Sequence, residues 1–282
     1  MDDSRDALGR YSLYPSHLLL LFLLLGVALA SVGCVPLRDM SFAGGGAEIW
    51  NSDLDGDLNF SVSGFSGTDI DLSQTLGIDP DENVGVYRGS VALGNVILDV
   101  KYLEVAYDGQ SLLNQAVTFN GQTFNVSTEV FSDLEVRTAS GYLKFGLIDL
   151  PYLNIGPLIG VNYIDVEAQL ASVTPVALTV SDEIEIPVPV VGIAFNLDIP
   201  ILSDWLGFFA EGEIAGLFAD YQEIDGKFID LSAVGGFKIA HFFRLGGGYR
   251  LFDVDFDDDS GDDENEATIT LDGPFIFAEL SF

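Results

Sequence analysis

The sequence predicts an all-β fold, a closed antiparallel up-and-down β-barrel of about ten strands, with about eight or twelve as the neighbouring possibilities. Three observations lead to this fold class. Hydrophobic residues make up 48% of the 282 residues, and beyond residue 33 they alternate with polar ones instead of forming helix-length runs. The net charge of −33 is large for so apolar a chain. The last segment alternates and ends on an aromatic residue, Phe282. A transmembrane barrel, which turns its apolar faces outward to lipid, accommodates this composition better than a soluble core does.

Residues 1–30 are predicted to be a cleaved export signal. An apolar stretch ending at Gly33 is shorter than the ~20 residues that a membrane-spanning helix needs, and it ends in small residues. Cleavage after Ala30 fits the small residues at that point. The alternative is a lipoprotein signal that ends before Cys34, because a glycine directly precedes this lone cysteine.

The mature chain is predicted to comprise a short N-terminal segment, residues 31–41, and a barrel, residues 42–282. The predicted strands are residues 42–52, 83–94, 96–108, 128–148, 154–170, 185–198, 206–221, 227–240, 243–256 and 267–282. Short connections, predicted to face the periplasm, are residues 94–95, 149–153, 199–204 and 241–242. The predicted extracellular connections are residues 53–82, 109–127, 171–184, 224–226 and 257–266. An even number of strands places both termini on the same side.

Alternation assigns each predicted strand an inward and an outward face. Residues 229–239 show this most clearly, since Leu231 and Phe237 share an apolar face opposite Asp230 and Lys238. The segment 128–148 departs from the pattern. Two charges near its start, at positions 135 and 137, have the opposite parity to Lys144 near its end. This predicts either a bulge or a long portion of strand above the membrane.

The side chains assigned to the lumen include acids and bases in nearly equal number. They are Glu48, Arg88, Asp99, Lys101, Glu211, Glu213, Asp230, Lys238, Arg244, Arg250 and Glu279. Unpaired buried ions are strongly unfavourable, so near-balanced signs predict a paired network. A small barrel is filled by its own side chains, and this favours a structural network that locks the barrel over the alternative, a narrow polar pathway.

The long connections are rich in acids. Calcium prefers such oxygen ligands, and the weak candidates for a metal site are Asp253, Asp255, Asp257 and Asp259. Their spacing does not match a calcium-binding loop. A solvated, self-repelling acidic surface is the simpler interpretation.

Catalytic residue types are scarce in this sequence. The two histidines are His17, in the predicted leader, and His241, in a predicted turn, and no motif places a serine or cysteine beside either. The glycine runs around Gly45 and Gly247 lie inside predicted strands rather than in phosphate-binding loops. We therefore expect a protein that is not an enzyme and has no cofactor.

Residues from about 46 to 282 resemble a group of small proteobacterial outer-membrane β-barrel proteins of uncharacterised role, similar in a broad sense to OmpA-like and OmpW-like barrels. The segments that carry the resemblance are Ala47–Trp50, Asp69–Asp79, Val117–Phe124, Gly247–Arg250 and Gly273–Ile276. The terminal strand is similar to those that the barrel-assembly machinery recognises, so the resemblance implies that Phe282 is an assembly signal. It also implies residence in the bacterial outer membrane, among lipid and lipopolysaccharide.

The expected function is that of an outer-membrane barrel with a structural or surface-interaction role and a mostly filled, charge-paired lumen. The alternative is a narrow channel or transporter for small molecules, hydrophobic ones included. A periplasmic soluble β-sandwich that binds a ligand is a third and weaker alternative. Divalent cations are possible partners at the acidic loops. Nucleic acid is not an expected partner, because the chain is strongly acidic.

Overall fold

A computed structural model of the chain describes residues 43–60, 68–173, 177–202, 205–221, 224–240, 242–258 and 265–281. Several sequence-based predictions fall outside these ranges. They concern the signal peptide, the segment 31–41, Cys34, both histidines, Asp259 and Phe282. No helix in the described ranges is both long and apolar enough to cross a membrane.

Ten long strands form one closed antiparallel barrel in the described part of the chain, which confirms the predicted fold class. They are β1 (Ala43–Phe60), β2 (Asp81–Leu93), β3 (Val96–Leu112), β4 (Glu129–Phe145), β5 (Leu153–Ser172), β6 (Leu178–Leu202), β7 (Leu206–Tyr221), β8 (Ile224–Ile239), β9 (Phe243–Asp258) and β10 (Asn265–Ser281). Each pairs with the next along the chain, and β10 pairs with β1 to close the barrel.

The ten strands occur where the sequence predicts them, but several are longer than predicted. Strand β1 continues to Phe60, and β6 begins at Leu178, inside segments predicted to be extracellular loops. The reason is visible on β1, where Asp53 and Asp55 are exposed while Leu54 between them is buried. These acids belong to an alternating strand whose outer face meets water, and the prediction that they lie in a loop was wrong.

Strand β4 resolves the two interpretations of segment 128–148. Its pairing with β3 runs in unbroken register from Val96–Phe145 to Leu112–Glu129, so there is no bulge. The strand is instead long, and its portion near Glu129 lies outside the part of the barrel whose outer face is apolar. The difference in parity between Arg137 and Lys144 therefore reflects a change in what each face of the barrel contacts.

The barrel exterior changes from apolar to polar at a common level. In register across β3 to β6, the outward row Tyr102, Ala139, Tyr163 and Pro187 is followed one step further by the row Glu104, Arg137, Asp165 and Glu185. We call residues 43–49, 85–102, 138–163, 187–216, 229–251 and 274–281 the lower half. The other described residues form the upper half. The strand ends joined by the β2–β3, β4–β5, β6–β7 and β8–β9 connections all lie in the lower half.

The barrel interior changes in the opposite sense at the same level. On β1, Glu48 is followed by the next inward residue Trp50, and on β9 Arg250 is followed by Phe252. Charged side chains therefore line the lower half, and mainly apolar ones fill the upper half. The inversion of both faces separates a half suited to surrounding lipid from a half suited to surrounding water.

The apolar belt of the lower half has the height of a bilayer core. Outward apolar stretches run from Leu153 to Tyr163 on β5 and from Ile229 to Ile239 on β8, and a transmembrane strand needs about 9–11 residues. Tyrosines such as Tyr87 and Tyr249 are exposed at its upper rim, and Trp205 is exposed at its lower rim. Aromatic girdles at both interfaces are typical of membrane barrels.

Two connections fold over the upper mouth of the barrel. One carries a short strand, Ile70–Asp71, which pairs with β1, and the other is a hairpin of Val117–Phe119 with Gln122–Phe124. The hairpin turns at Asn120 and Gly121, whose φ angles of 43° and 71° suit this two-residue turn. A further short strand, Ile148–Leu150, pairs with β5 at the lower end.

These two connections cap the barrel with apolar side chains. Buried residues of the cap are Ile70, Leu72, Leu76, Ile78, Val117, Phe119 and Phe124. They belong to the same buried cluster as inward residues of the strands, among them Leu58 and Leu134. The Ser132 hydroxyl donates a hydrogen bond to the Leu76 carbonyl at 3.2 Å and so ties the cap to β4. The cap closes the upper half over an apolar core.

Candidate functional site in the barrel interior

The lower half encloses a cavity of about 400 Å³ that is lined by charged side chains. Ten of the eleven residues assigned to the lumen from sequence line it, and Asp230 is buried close by, as described below. Lys144 and Asp198, which the predicted set omits, line it as well. The cavity also touches Asn95 and Asn154, at or beside the short connections, so it lies toward the lower end of the barrel.

Glu48 and Arg250 form the most deeply buried ion pair of the cavity. Arg250 Nη2 lies 2.9 Å from Glu48 Oε2, and the two side chains are 4% and 0% exposed. The Arg250 guanidinium also lies 5.4 Å from the ring centre of Trp50 and 5.3 Å from that of Phe275. A planar cation can stack on aromatic rings while it pairs with a carboxylate, and this suits arginine better than lysine.

Arg88 lies at the centre of a wider group of acids. Its guanidinium nitrogens are 3.4 Å from Glu48, 3.6 Å from Glu279, 3.7 Å from Glu211 and 3.8 Å from Asp99. One cation is thus shared by four carboxylates that come from β1, β3, β7 and β10. Such sharing links strands that are distant along the chain.

Two lysines pair with Asp99 and Glu213 and extend the group around Arg88. Lys144 Nζ lies 2.9 Å from Asp99 Oδ2 and 2.6 Å from Glu213 Oε2, and Lys101 Nζ also donates to Glu213. Lys101 and Glu213 lie on β3 and β7, so this contact crosses the lumen. Sequence analysis did not assign Lys144 to the lumen, because the departure from alternation in segment 128–148 left its parity unexplained.

Arg244 and Lys238 complete the network near the lower end. Arg244 donates to Glu211 and lies 3.4 Å from Glu279, and its guanidinium is 4.0 Å from the ring centre of Phe209. Lys238 Nζ lies 3.3 Å from Asp198 Oδ2. Each base of the predicted set therefore has a carboxylate partner, which is the condition under which buried charges are tolerated.

Asp230 differs from the other acids because its described partners are neutral. The Tyr142 hydroxyl lies 2.6 Å from Asp230 Oδ2 and 2.9 Å from Asn162 Oδ1. The hydroxyl has one proton, so it cannot donate to both oxygens at once. No salt bridge to Asp230 occurs among the described residues. Sequence analysis missed Tyr142 and Asn162, although both lie on the inward parity of their strands.

Glycines of β8 and β9 leave room for aromatic rings in the lower half. A side-chain carbon at Gly248 would lie 2.8 Å from Phe275, and one at Gly246 would lie 2.9 Å from Phe277. At Gly236 it would lie 2.9 Å from Phe209. Rings that cover inward glycines fill the space that missing side chains leave. The glycine run around Gly247, predicted to lie in a strand, thus serves packing.

The candidate metal ligands on the acidic surface do not converge on one point. Lys227 Nζ lies 2.6 Å from Asp253 Oδ2, and the Thr268 hydroxyl donates to Asp255 at 3.4 Å. Asp259, like the side chain of Asp257, lies outside the described part of the chain. A different trio, Asp165, Glu183 and Glu185, has carboxylate oxygens within 4.8 Å of one another on the outer face of the upper half. Arg137 lies 3.1 Å from Asp165 and partly neutralises that trio.

Repulsion among acids acts on the outer face of β1. Partial burial, and then the neighbouring Asp81, raise the pKa of Asp53. Partial burial, and then Asp71, raise the pKa of Asp57. Both groups are thus easier to protonate in the folded protein than in the unfolded chain.

Comparisons with known proteins give similarities in structure alone. No protein family matches the chain, and no curated protein matches it. Among solved structures, the outer membrane protease OmpT from Escherichia coli matches at 9% identity and a TM-score of 0.49, over 88% of this chain and 99% of that one. The attachment invasion locus protein Ail of Yersinia pestis matches at 9% identity and a TM-score of 0.32, over 86% and 99%. The translocator domain of the autotransporter NalP from Neisseria meningitidis matches at 12% identity and a TM-score of 0.38, over 96% and 100%.

These similarities have TM-scores below 0.5 and carry no argument about activity. The assignment of the fold rests on the strand pairing, the outward apolar belt, the aromatic rims and the inward charges. Outer-membrane barrels are closed and antiparallel, with an even number of strands, short turns at one end and longer loops at the other. The protein is a transmembrane β-barrel of the bacterial outer membrane.

Proposed function

We propose that the protein is a structural or surface-interacting barrel whose lumen is locked and does not conduct ions. The observation that supports this most is the capped apolar core of the upper half, which lies above the charged cavity. A conducting pore needs a continuous water-filled path with polar lining. In this barrel, such a path would have to cross the layer formed by Leu58, Leu134, Leu170 and the cap.

The ion-pair network supports a locking role for the lower half. Each cross-lumen pair joins strands that are not neighbours, as Lys101 on β3 and Glu213 on β7 do. Breaking one partner of a buried pair leaves an uncompensated ion in a confined space. The network thus favours one closed arrangement of the barrel over expanded or partly open ones.

The outer face of the upper half is the surface that we propose for interactions. It presents outward acids on β1, β3, β4 and β6, among them Asp53, Asp57, Glu104, Asp133 and Glu183. Lipopolysaccharide in the outer leaflet would also present negative charge next to the upper rim of the belt. Divalent cations, which prefer oxygen ligands, would therefore be needed to bridge the two surfaces.

The enzyme and transport alternatives have less support. Neither histidine nor cysteine occurs among the residues that the structure describes, so the described lumen offers no imidazole or thiol for acid–base or nucleophilic chemistry. For transport through the whole barrel, an apolar molecule would have to cross the charged cavity, and an ion would have to cross the apolar core. We therefore propose a protein that is not an enzyme.

Conductance in planar bilayers tests the locked lumen. We expect no regular unitary steps from the refolded protein under conditions in which a general porin, added as a positive control, conducts. Regular unitary steps that scale with the amount of folded protein would contradict the proposal.

Binding to lipopolysaccharide vesicles tests the proposed surface. We expect calcium to increase binding to the wild-type protein, and we expect this increase to shrink in the triple variant Asp53→Asn, Asp55→Asn, Asp57→Asn. Those side chains are exposed on β1, so the variant should fold normally. Equal calcium dependence in the two proteins would argue against this acidic face.

A further inference from the structure

A second cavity, of about 160 Å³, lies where the upper half meets the lower half. Its walls are almost entirely apolar. The lining side chains that face inward include Val136, Ile164, Ile184, Phe228, Val254 and Ile269. Lys227 and Asp255 reach only its rim, on the outward parity of β8 and β9. A polar molecule or an ion would find few partners in this cavity.

The barrel wall is open beside this cavity. Strands β6 and β7 pair from Leu202–Leu206 up to Val191–Gly216. In the described chain above that point, β6 residues 178–190 pair with β5, while β7 continues in register with β8. The two strands therefore part at Val191 and Gly216, and the space between them adjoins Val188 and Leu217, which both line the cavity.

Two prolines lie on the open edge of β6. Pro187 and Pro189 face outward by parity but also line the cavity, which shows that the cavity extends into the wall. Proline has no N–H to donate to a neighbouring strand and is confined to strand edges. The adjacent outward residues Glu183 and Glu185 are charged, as is common on protected edges. This segment is thus built to remain unpaired on one side.

The opening lies at the level of the lipid surface. Pro187 belongs to the same register row as Tyr102 and Tyr163, which ends the apolar belt. The lower edge of the opening therefore meets the outer part of the bilayer, and apolar molecules partition from water into the bilayer's hydrocarbon. The charged cavity of the lower half lies below, and an apolar molecule would not move into it favourably, because its charged lining would have to be desolvated.

We infer that this cavity binds a small apolar molecule of about the size of benzene, which enters from the membrane between β6 and β7. An engineered protein cavity of about 150 Å³ lined by leucine, isoleucine and phenylalanine stays dry and binds benzene or xenon. The volume and lining of this cavity match that case. The site goes beyond the proposed function, because a closed lumen does not require a ligand site and a ligand site does not require conduction.

Benzene binding to the full-length mature protein in lipid nanodiscs tests the inference. We would label isoleucine, leucine and valine methyl groups and measure nuclear Overhauser effects from benzene protons. The expected result is contacts with the methyls of Val136, Ile184 and Ile269, which face the cavity. Contacts restricted to belt methyls such as Ile193 and Ile159 would show partition into lipid alone, and they would overturn the inference.

Filling the cavity provides the matched control. Ala267→Phe places a ring in the cavity, whereas Ile276→Phe adds the same ring type on the lipid face of β10, away from the opening. We expect loss of the benzene contacts in Ala267→Phe and their retention in Ile276→Phe. Retention in a folded Ala267→Phe protein would contradict the assigned site. If Ala267→Phe does not fold, Val254→Phe replaces it. The benzene contacts of the wild-type protein test the site even if neither variant folds. Conductance would test the locked lumen separately, so the two proposals can fail independently.

Discussion

In the lower part of β5, Pro157 and Ile159 face outward and Asn162 faces the lumen. In the upper part of the same strand, Asp165 and Glu167 are on the outward face while Ile164 and Ala168 are buried inside. The backbone geometry does not change between the two parts. The difference teaches that the solvent around the barrel, and not the strand itself, decides which residue type each face carries.

The two halves are consequently stabilised by different forces. In the lower half, apolar side chains contact lipid and contribute little by turning away from water, so the interior is fixed by ion pairs and hydrogen bonds. The upper half has water outside and an apolar core inside, as in a soluble protein. Equivalent substitutions should therefore have unequal effects in the two halves.

Arg250→Ala in the lower half is expected to have the largest effect. It would leave Glu48 buried without its closest cation and remove a group packed between Trp50 and Phe275. Breaking a buried pair in this way costs about 3–5 kcal/mol. Denaturant unfolding in detergent measures this loss of stability. The folded fraction is determined from the difference in gel migration between heated and unheated samples.

The matched control is Arg137→Ala on the outside of the upper half. Arg137 pairs with Glu135 and Asp165, but its side chain is 33% exposed. Pairs exposed to water contribute about 0–1 kcal/mol. Similar losses for Arg250→Ala and Arg137→Ala would show that the two halves do not differ as described.

Truncation of an aromatic side chain should show the opposite asymmetry. Phe252 is 3% exposed in the upper half, and its ring centre lies 5.2 Å from that of Phe228. We expect Phe252→Ala to reduce the free energy of unfolding by about 3–5 kcal/mol. Phe237→Ala in the lower half should cost much less, because Phe237 is exposed to lipid. Equal losses in the same unfolding assay would contradict the assignment of the two outer faces.

An arginine placed on the outer face should distinguish lipid from water on one strand. Ile159→Arg, near the middle of the belt on β5, is expected to cost about 2–4 kcal/mol. Gln169→Arg, ten residues further along the same face, should be nearly neutral. Unfolding in lipid vesicles gives both values. A large cost at Gln169 would place the upper half inside the membrane.

The smallest expected effect is a dependence of the upper half on pH. The pKa values of Asp53 and Asp57 are raised in the folded protein, chiefly by partial burial and then by neighbouring acids. At pH values between their unfolded and folded pKa values, the folded state binds more protons than the unfolded state. The free energy of unfolding therefore falls as pH rises through this window, and it increases as pH is lowered toward about 4. Hydrogen exchange of β1 amides around these residues, corrected for intrinsic rates, should slow on acidification. The double variant Asp53→Asn, Asp57→Asn should lose much of this response, and a full response in that variant would rule out these two acids as its source.

The number, order and direction of the strands could be predicted because a two-residue period is local information. The strand ends could not, since the outward Asp53, Asp55 and Asp57 have the composition of a loop although they alternate with buried leucines. The charged residues of the lumen could be derived from parity. Tyr142 and Asn162 were missed because only charged residues were assigned to the lumen. The apolar cavity and its opening depend on where β6 and β7 part, and no local pattern encodes that long-range pairing. The roles assigned from sequence to the signal peptide and to Phe282 stay predictions.

The central claim is that the outer environment changes from lipid to water between Tyr163 and Asp165 on β5, and at the same level around the barrel. Electron paramagnetic resonance of spin labels in lipid vesicles tests it directly, in a Cys34→Ser background and with one label at a time. The labelled outward positions are Pro157, Ile159, Val161, Tyr163, Asp165, Glu167 and Gln169. We predict that accessibility to oxygen dominates through position 161 and that accessibility to a water-soluble nickel complex dominates from position 165 onward. Oxygen-dominated accessibility that continues to position 169 would contradict the division of the barrel into a membrane half and an aqueous half.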